Sequence, residues 1–179
     1  MRFLLGLLLG VVLLAGCVFL YFDLGYAPVA TASAPMPFEQ FLAQRAIAAR
    51  MKKEAPTSVP FTADEGNLAA GVKIYRETCS VCHGLRGQGE TPLAKGMFPK
   101  PPQFLAHPEK GGSAGNTFWV VKNGIRTTGM PGFGASLSDR QIWQVSLALD
   151  NRDHLPDGLD RLLAEPPEGT AGTATRSKR

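Results

Sequence analysis

Apolar positions along the chain fall into three patterns. From Phe3 to Phe22, twenty consecutive residues carry no charge. A helix of that length spans roughly 30 Å, the thickness of a bilayer core, so residues 1–23 are predicted to be a transmembrane anchor. Pro37 to Glu54 reads as a second helix. Pro37 suits its first turn, Phe38, Phe41 and Leu42 give partial helical spacing, and Pro56 follows its end. Arg50, Lys52 and Lys53 complement its C-terminal dipole. From Thr62 onward, short apolar runs recur at helical spacing behind cap residues. Thr62-Ala63-Asp64-Glu65 predicts a helix from near Ala63, with Leu68, Val72 and Tyr75 on its buried face. Asn116 is expected to cap a helix over 117–123 that Gly124 stops, and Ser138 with Gln141 opens another that carries Ile142, Trp143, Val145 and Leu149. The best strand candidate, Phe118 to Val121, fits a helix equally well, so the chain is expected to be all-α.

These patterns divide the chain into an anchor (1–23), a linker with a short helix (24–61), a compact region (62–152) and a polar tail (153–179). The tail is expected to be disordered, at least after Pro166. Two rivals to the anchor exist. Leu14-Ala15-Gly16-Cys17 looks like a lipoprotein signal that would place a lipidated Cys17 at a new terminus, and Ala30-Thr31-Ala32 is a weak cleavage site. Arg2 precedes the apolar run and the next positive charge is Arg45, so the remainder is predicted to be exported, on the periplasmic side of the cytoplasmic membrane. The 37–54 helix could lie on the membrane, pack on the compact region, bind a partner, or serve as a solvated spacer.

Composition changes this picture in one respect. The net charge is +4 and no dense Lys/Arg run occurs, so a nucleic-acid binder is excluded. Three cysteines exclude a disulfide scaffold. Much of the 44% apolar content lies in the anchor, and Gly (20) and Pro (14) are abundant. A compact region of about ninety residues with long loops therefore has too little apolar side chain to fill its own middle.

Cys79-Ser80-Val81-Cys82-His83 supplies the missing filling. C-x-x-C-H is the attachment pattern of c-type haem. Two thiols at this spacing reach the two vinyl groups of one porphyrin, and the adjacent histidine is held under the iron. A thioredoxin-like pair would need a βαβ context, and a zinc site would need two further ligands that the sequence does not offer at suitable spacing. The expected cofactor is one covalent haem c on Cys79 and Cys82, with His83 as the proximal iron ligand.

The stretch from Gly66 to Leu149 resembles the class I monohaem cytochromes c. The resemblance rests on Cys79-x-x-Cys82-His83-Gly84, on Asn123-Gly124-Ile125-Arg126 leading into Gly129-Met130-Pro131-Gly132-Phe133, and on Leu137-Ser138-Asp139-x-Gln141-Ile142-Trp143. It covers about half the chain and implies three to four helices around one haem. It implies Met130 as the distal iron ligand, and a soft thioether in a Gly/Pro-shaped loop suits that role. Met97 is the reserve, with His107 and His154 as further alternatives. The resemblance also implies that a proline carbonyl accepts the proximal histidine's second N–H, with Pro99 or Pro101 preferred among Pro99, Pro101 and Pro102. It implies that the first and last helices cross near Gly71 and Tyr75, against Trp143 and Leu147. The expected function is one-electron transfer between membrane or periplasmic redox proteins, not enzymatic turnover of a small-molecule substrate. Lys95, Lys100, Lys122 and Arg126 flank the haem loops and would steer acidic partners. The alternatives are a haem domain with an open sixth site and a dedicated subunit of a larger oxidoreductase.

Overall fold

A computed structural model describes residues 1–106 and 112–166. The chain divides into two compact units, Met1–Gln44 and Arg45–Arg179. In the first, α1 (Arg2–Asp23) holds an 18-residue stretch with a mean hydropathy of 2.9, buries nothing within the protein, and is long and apolar enough to cross a membrane. The helix α2 runs over Glu39–Glu54, beginning in the first unit and continuing into the second, and so starts two residues later than Pro37 suggested. Phe38, at φ +64, directly precedes it, and the Phe38 carbonyl accepts from Leu42 N–H at 2.9 Å.

The second unit is built from α3 (Glu65–Ile74), a π-helical turn (Tyr75–Cys79), α4 (Ser80–His83), α5 (Pro92–Lys95), α6 (Ala114–Asn123), α7 (Asp139–Asp150) and α8 (Asp157–Ala164). No strand occurs among the described residues, so the all-α expectation holds. Two caps fall elsewhere than expected. Asp64, not Thr62, caps α3, its carboxylate accepting from Asn67 N–H at 2.9 Å. Ser113, one turn before Asn116, caps α6. The box at the start of α7 forms in both directions between Ser138 and Gln141, and Gly124 ends α6 at φ +68.

Crossing of α3 and α7 organises the core. A β-carbon on Gly71 would overlap the Gln144 carbonyl and lie 2.8 Å from Ala148 Cβ, so only glycine lets the backbones approach this closely. The expected crossing is present, but Gly71 faces Gln144 and Ala148 rather than Trp143 and Leu147. Trp143 instead stacks on Phe118 of α6, with ring centroids 4.3 Å apart. Buried Asn67 joins the two helices at their polar end, its Oδ1 accepting from Gln144 Nε2 at 3.1 Å and Arg140 Nη2 at 3.3 Å.

Two segments are more ordered than their composition suggested. The expected disorder of 153–179 is overturned for its first part, because α8 buries Leu159 and Leu163 in the core and packs on α3. Residues 167–179 lie outside the described ones. The 24–61 linker is also fastened at its C-terminal end. Trp119 Nε1 donates to Glu54 Oε2 at 3.2 Å, and the Pro56 carbonyl sits against the bare face of Gly115 on α6.

Candidate haem-binding site

The π turn follows α3 and ends on the first cysteine of the C-x-x-C-H segment, widening the helical path there. It brings Cys79, half-buried against the core, to the end of one turn, while Cys82 and His83 occupy the next. Both thiols are free, not joined to each other. Burial, and secondarily the neighbouring Cys82, pushes the Cys79 thiol up to about 12. In the haem-free chain, Cys79 is therefore expected to alkylate at pH 8 more than about tenfold more slowly than in the urea-unfolded chain, since the thiolate is the nucleophile. Peptide mapping after timed iodoacetamide exposure measures this, and equal rates would contradict the burial.

His83 is buried and its orientation is set on three sides. Nδ1 lies 2.8 Å from the Pro102 carbonyl, which can only accept, so Nδ1 carries the proton and Nε2 presents its lone pair. Pro102 thus replaces the expected Pro99 or Pro101. The ring stacks on Phe104 at 4.8 Å between centroids. Burial holds the imidazole below its usual range, with the Pro102 bond opposing, so it is neutral and able to bind a metal at neutral pH. Behind it, buried Tyr75 donates to the carbonyls of Gly84 at 2.8 Å and His83 at 3.3 Å. Burial raises the Tyr75 phenol, which keeps its proton for that role. Gln103 Nε2 bridges the carbonyls of Cys82 at 3.1 Å and Pro101 at 3.0 Å. Gly84 adopts φ +71 and ψ 173, a conformation open to glycine, where a β-carbon would also meet Gln103 Oε1.

Met130 occupies a loop assembled by its own backbone. Ile125 N–H donates to the Met130 carbonyl at 3.1 Å, and Met130 N–H donates to Thr128 Oγ1 at the same distance. Phe133 and Gly134 N–H groups return to the carbonyls of Val121 and Lys122 on α6, at 2.9 and 3.0 Å. Gly124 and Gly132 permit that return, each facing backbone where a β-carbon would not fit. Met130 is half-buried against the same core as Cys79 and Phe104. The Met97 thioether lies close by, 3.2 Å from where a Gly129 β-carbon would be. His154 is exposed, and His107 falls outside the described residues.

The donor set therefore fits a covalent haem: two thiols and one imidazole on adjacent turns, a bare Nε2, and the Met130 thioether on a separate loop held by its own backbone bonds. Among the described residues, no three His, Cys, Asp or Glu side chains converge on a metal site of another kind. Of the four flanking bases, Lys100 is paired with Glu90 at 2.9 Å and Lys122 with Asp139 at 2.7 Å, while Lys95 and Arg126 are exposed.

Sequence reasoning named Pro102 without preferring it, and missed Gln103, Phe104 and the Tyr75 hydroxyl. Tyr75 carried a signal, since its helical spacing buries it and a buried phenol needs an acceptor.

Residues 66–147 match the family described as cytochrome C oxidase, cbb3-type, subunit III. This segment is a cytochrome c domain. Two curated relatives each match about half of the chain. One is a thiosulfate dehydrogenase of Stutzerimonas stutzeri (strain A1501), 31% identical over 91 residues, covering 51% of this chain and 29% of the relative. The other is a cbb3-type cytochrome c oxidase subunit CcoP of Azospirillum sp. (strain B510), 32% identical over 89 residues, covering 50% and 30%. The matching stretch spans under a third of either relative. A chain of the Kuenenia stuttgartiensis reducing HAO-like protein complex overlaps at a TM-score of 0.45, with 30% identity, over 56% of this chain and 52% of that one. The cytochrome c domain implies covalent haem c and electron transfer, and the apolar α1 ahead of it supports membrane anchoring.

Proposed function

We propose that the chain is a membrane-anchored one-electron carrier, with a single haem held by Cys79 and Cys82 and ligated by His83 and Met130. The observation that carries this reading is the bond from His83 Nδ1 to Pro102, which leaves the lone pair of Nε2 available to a metal. The Met130 loop, closed by hydrogen bonds to itself and to α6, offers the second ligand. His/Met ligation raises the reduction potential of a haem and leaves no open coordination position, so the bound group supplies reversible one-electron chemistry. The chain's own residues hold it in place. Pro102 and Phe104 fix the imidazole, Tyr75 and Gln103 brace the backbone behind it, and the core excludes water from that side.

In this reading the haem domain runs from 62 to 166, because α8 completes its core. Arg2 before α1, with the next positive charge at Arg45, supports a domain on the outer side of the cytoplasmic membrane. Anchoring raises the effective concentration of the carrier near membrane-bound redox partners. Pairing of Lys100 and Lys122 halves the basic rim, so steering by an acidic partner rests on Lys95 and Arg126. The match to an oxidase subunit family favours a second reading, a dedicated subunit of one oxidoreductase complex. Stable co-purification with such a complex distinguishes it from a diffusing carrier.

The test is optical. The oxidised wild type is expected to show the weak methionine–iron charge-transfer band, Met130→Ala to lose it, and the reduced wild type to resist carbon monoxide. Unchanged spectra in the variant, or rapid carbon monoxide binding by the wild type at neutral pH, overturn Met130 as the ligand.

A further inference from the structure

The proposed electron transfer makes no use of α2. At 100° per residue, Phe41, Leu42, Arg45, Ala48, Ala49, Lys52 and Lys53 share one side of this helix, and all are exposed. Ile47 and Met51, half-buried, lie on the opposite side together with Glu54, which Trp119 and Arg50 engage. The exposed side is divided lengthwise. Phe41 and Leu42, 58% and 61% exposed, and Phe38 just before the helix make its first part apolar. Arg45, Lys52 and Lys53 make the rest basic, and neither acid of the helix, Glu39 or Glu54, lies on that side. Residues 24–38 connect α1 to α2, fifteen residues that reach at most about 50 Å when fully extended and roughly 20 Å as a flexible coil.

We propose that this side of α2 rests on the membrane that α1 enters. Phe38, Phe41 and Leu42 enter the interfacial layer, and Arg45, Lys52 and Lys53 meet anionic phospholipid headgroups. Apolar side chains joined to a basic cluster are the composition of interfacial helices, and long basic side chains reach headgroups while their stems stay on apolar surface. Two copies meeting through this face would bring like charges together, whereas an anionic surface complements them. The inference rests on α1 as a membrane anchor and is independent of which side chains ligate iron.

The experiment uses the full, haem-loaded chain in nanodiscs of phosphatidylcholine alone or of phosphatidylcholine mixed with phosphatidylglycerol. Trypsin cleavage after Arg45, Lys52 and Lys53 is timed by mass spectrometry, with cleavage after exposed Lys95 as the internal reference. Cleavage in α2 is expected to be about tenfold slower in the anionic discs, with the protection lost at high salt. The double variant Phe41→Ser, Leu42→Ser is expected to lose the protection while keeping the wild-type haem spectrum and Lys95 cleavage. Equal cleavage in the two lipids overturns the proposal. So does protection that persists in detergent without lipid, because a bound protein or second copy would then cover the face. Failure of the chain to co-elute with either disc would instead overturn the anchor.

Discussion

Gly71→Val is expected to lower the thermal midpoint of the haem domain by roughly 12–24 °C. The new β-carbon would fall 2.6 Å from the Gln144 carbonyl carbon and 2.8 Å from Ala148 Cβ, and neither is the free end of a flexible side chain. Helices α3 and α7 must therefore separate, which loosens the packing of Leu68 and Val72 around Ile142 and Val145. Overpacking of this kind costs about 3 kcal/mol, and in a domain of this size each kcal/mol moves the midpoint by ~4–8 °C. A circular dichroism melt of the haem-loaded protein measures the change. Gly66→Ala is the control, since its β-carbon meets nothing closer than 3.4 Å and its midpoint is expected to stay near the parent's. A Gly71→Val midpoint equal to the parent's would show that the helices cross elsewhere.

The second large effect is expected from ending the chain at Asp153. This removes α8 and exposes the surface on which Leu159 and Leu163 are 8% and 3% accessible. Two buried leucines are worth about 3–6 kcal/mol together. The cut also undoes a set of polar ties. Arg86 Nε pairs with Asp160 at 2.7 Å, Arg86 N–H donates to the Leu163 carbonyl at 2.8 Å, and Arg76 reaches the carbonyls of Glu165 and Pro166 at 3.3 and 3.1 Å. Because Arg86 lies three residues past His83, the loss is expected to reach the haem loop as well as the core. Urea unfolding followed by haem absorbance should show a lower midpoint in the truncated chain, with Leu163→Ala giving a smaller fall in the same direction. An unchanged midpoint in the truncated chain would remove α8 from the domain.

The parts of this protein legible in its sequence are those governed by neighbours along the chain. The thiol and imidazole spacing of Cys79, Cys82 and His83 is a local constraint. So are the Ser138–Gln141 box and the left-handed stop at Gly124. Pro102 was not legible among three nearby prolines, because the path of the 85–101 loop decides which carbonyl arrives at Nδ1. Ser113 and Asn116 are both good caps one turn apart, and local preference cannot choose between them. The omission of α8 is different, since its signal was present. Leu155, Leu159 and Leu163 recur every four residues, but the surrounding Asp, Gly and Pro made the composition read as a tail.

The Met130 loop closes on itself through Ile125 and Thr128 and on α6 through Phe133 and Gly134, so its shape is held by the chain's own hydrogen bonds. Under the proposed ligation, a gain or loss of one unit of charge at iron would leave that frame with little to rearrange. A centre surrounded by dipoles already in position passes electrons with a small reorganisation cost. The same stiffness sets a direction for engineering. Lengthening the loop between Gly124 and Met130 would slow electron exchange before it weakened the fold.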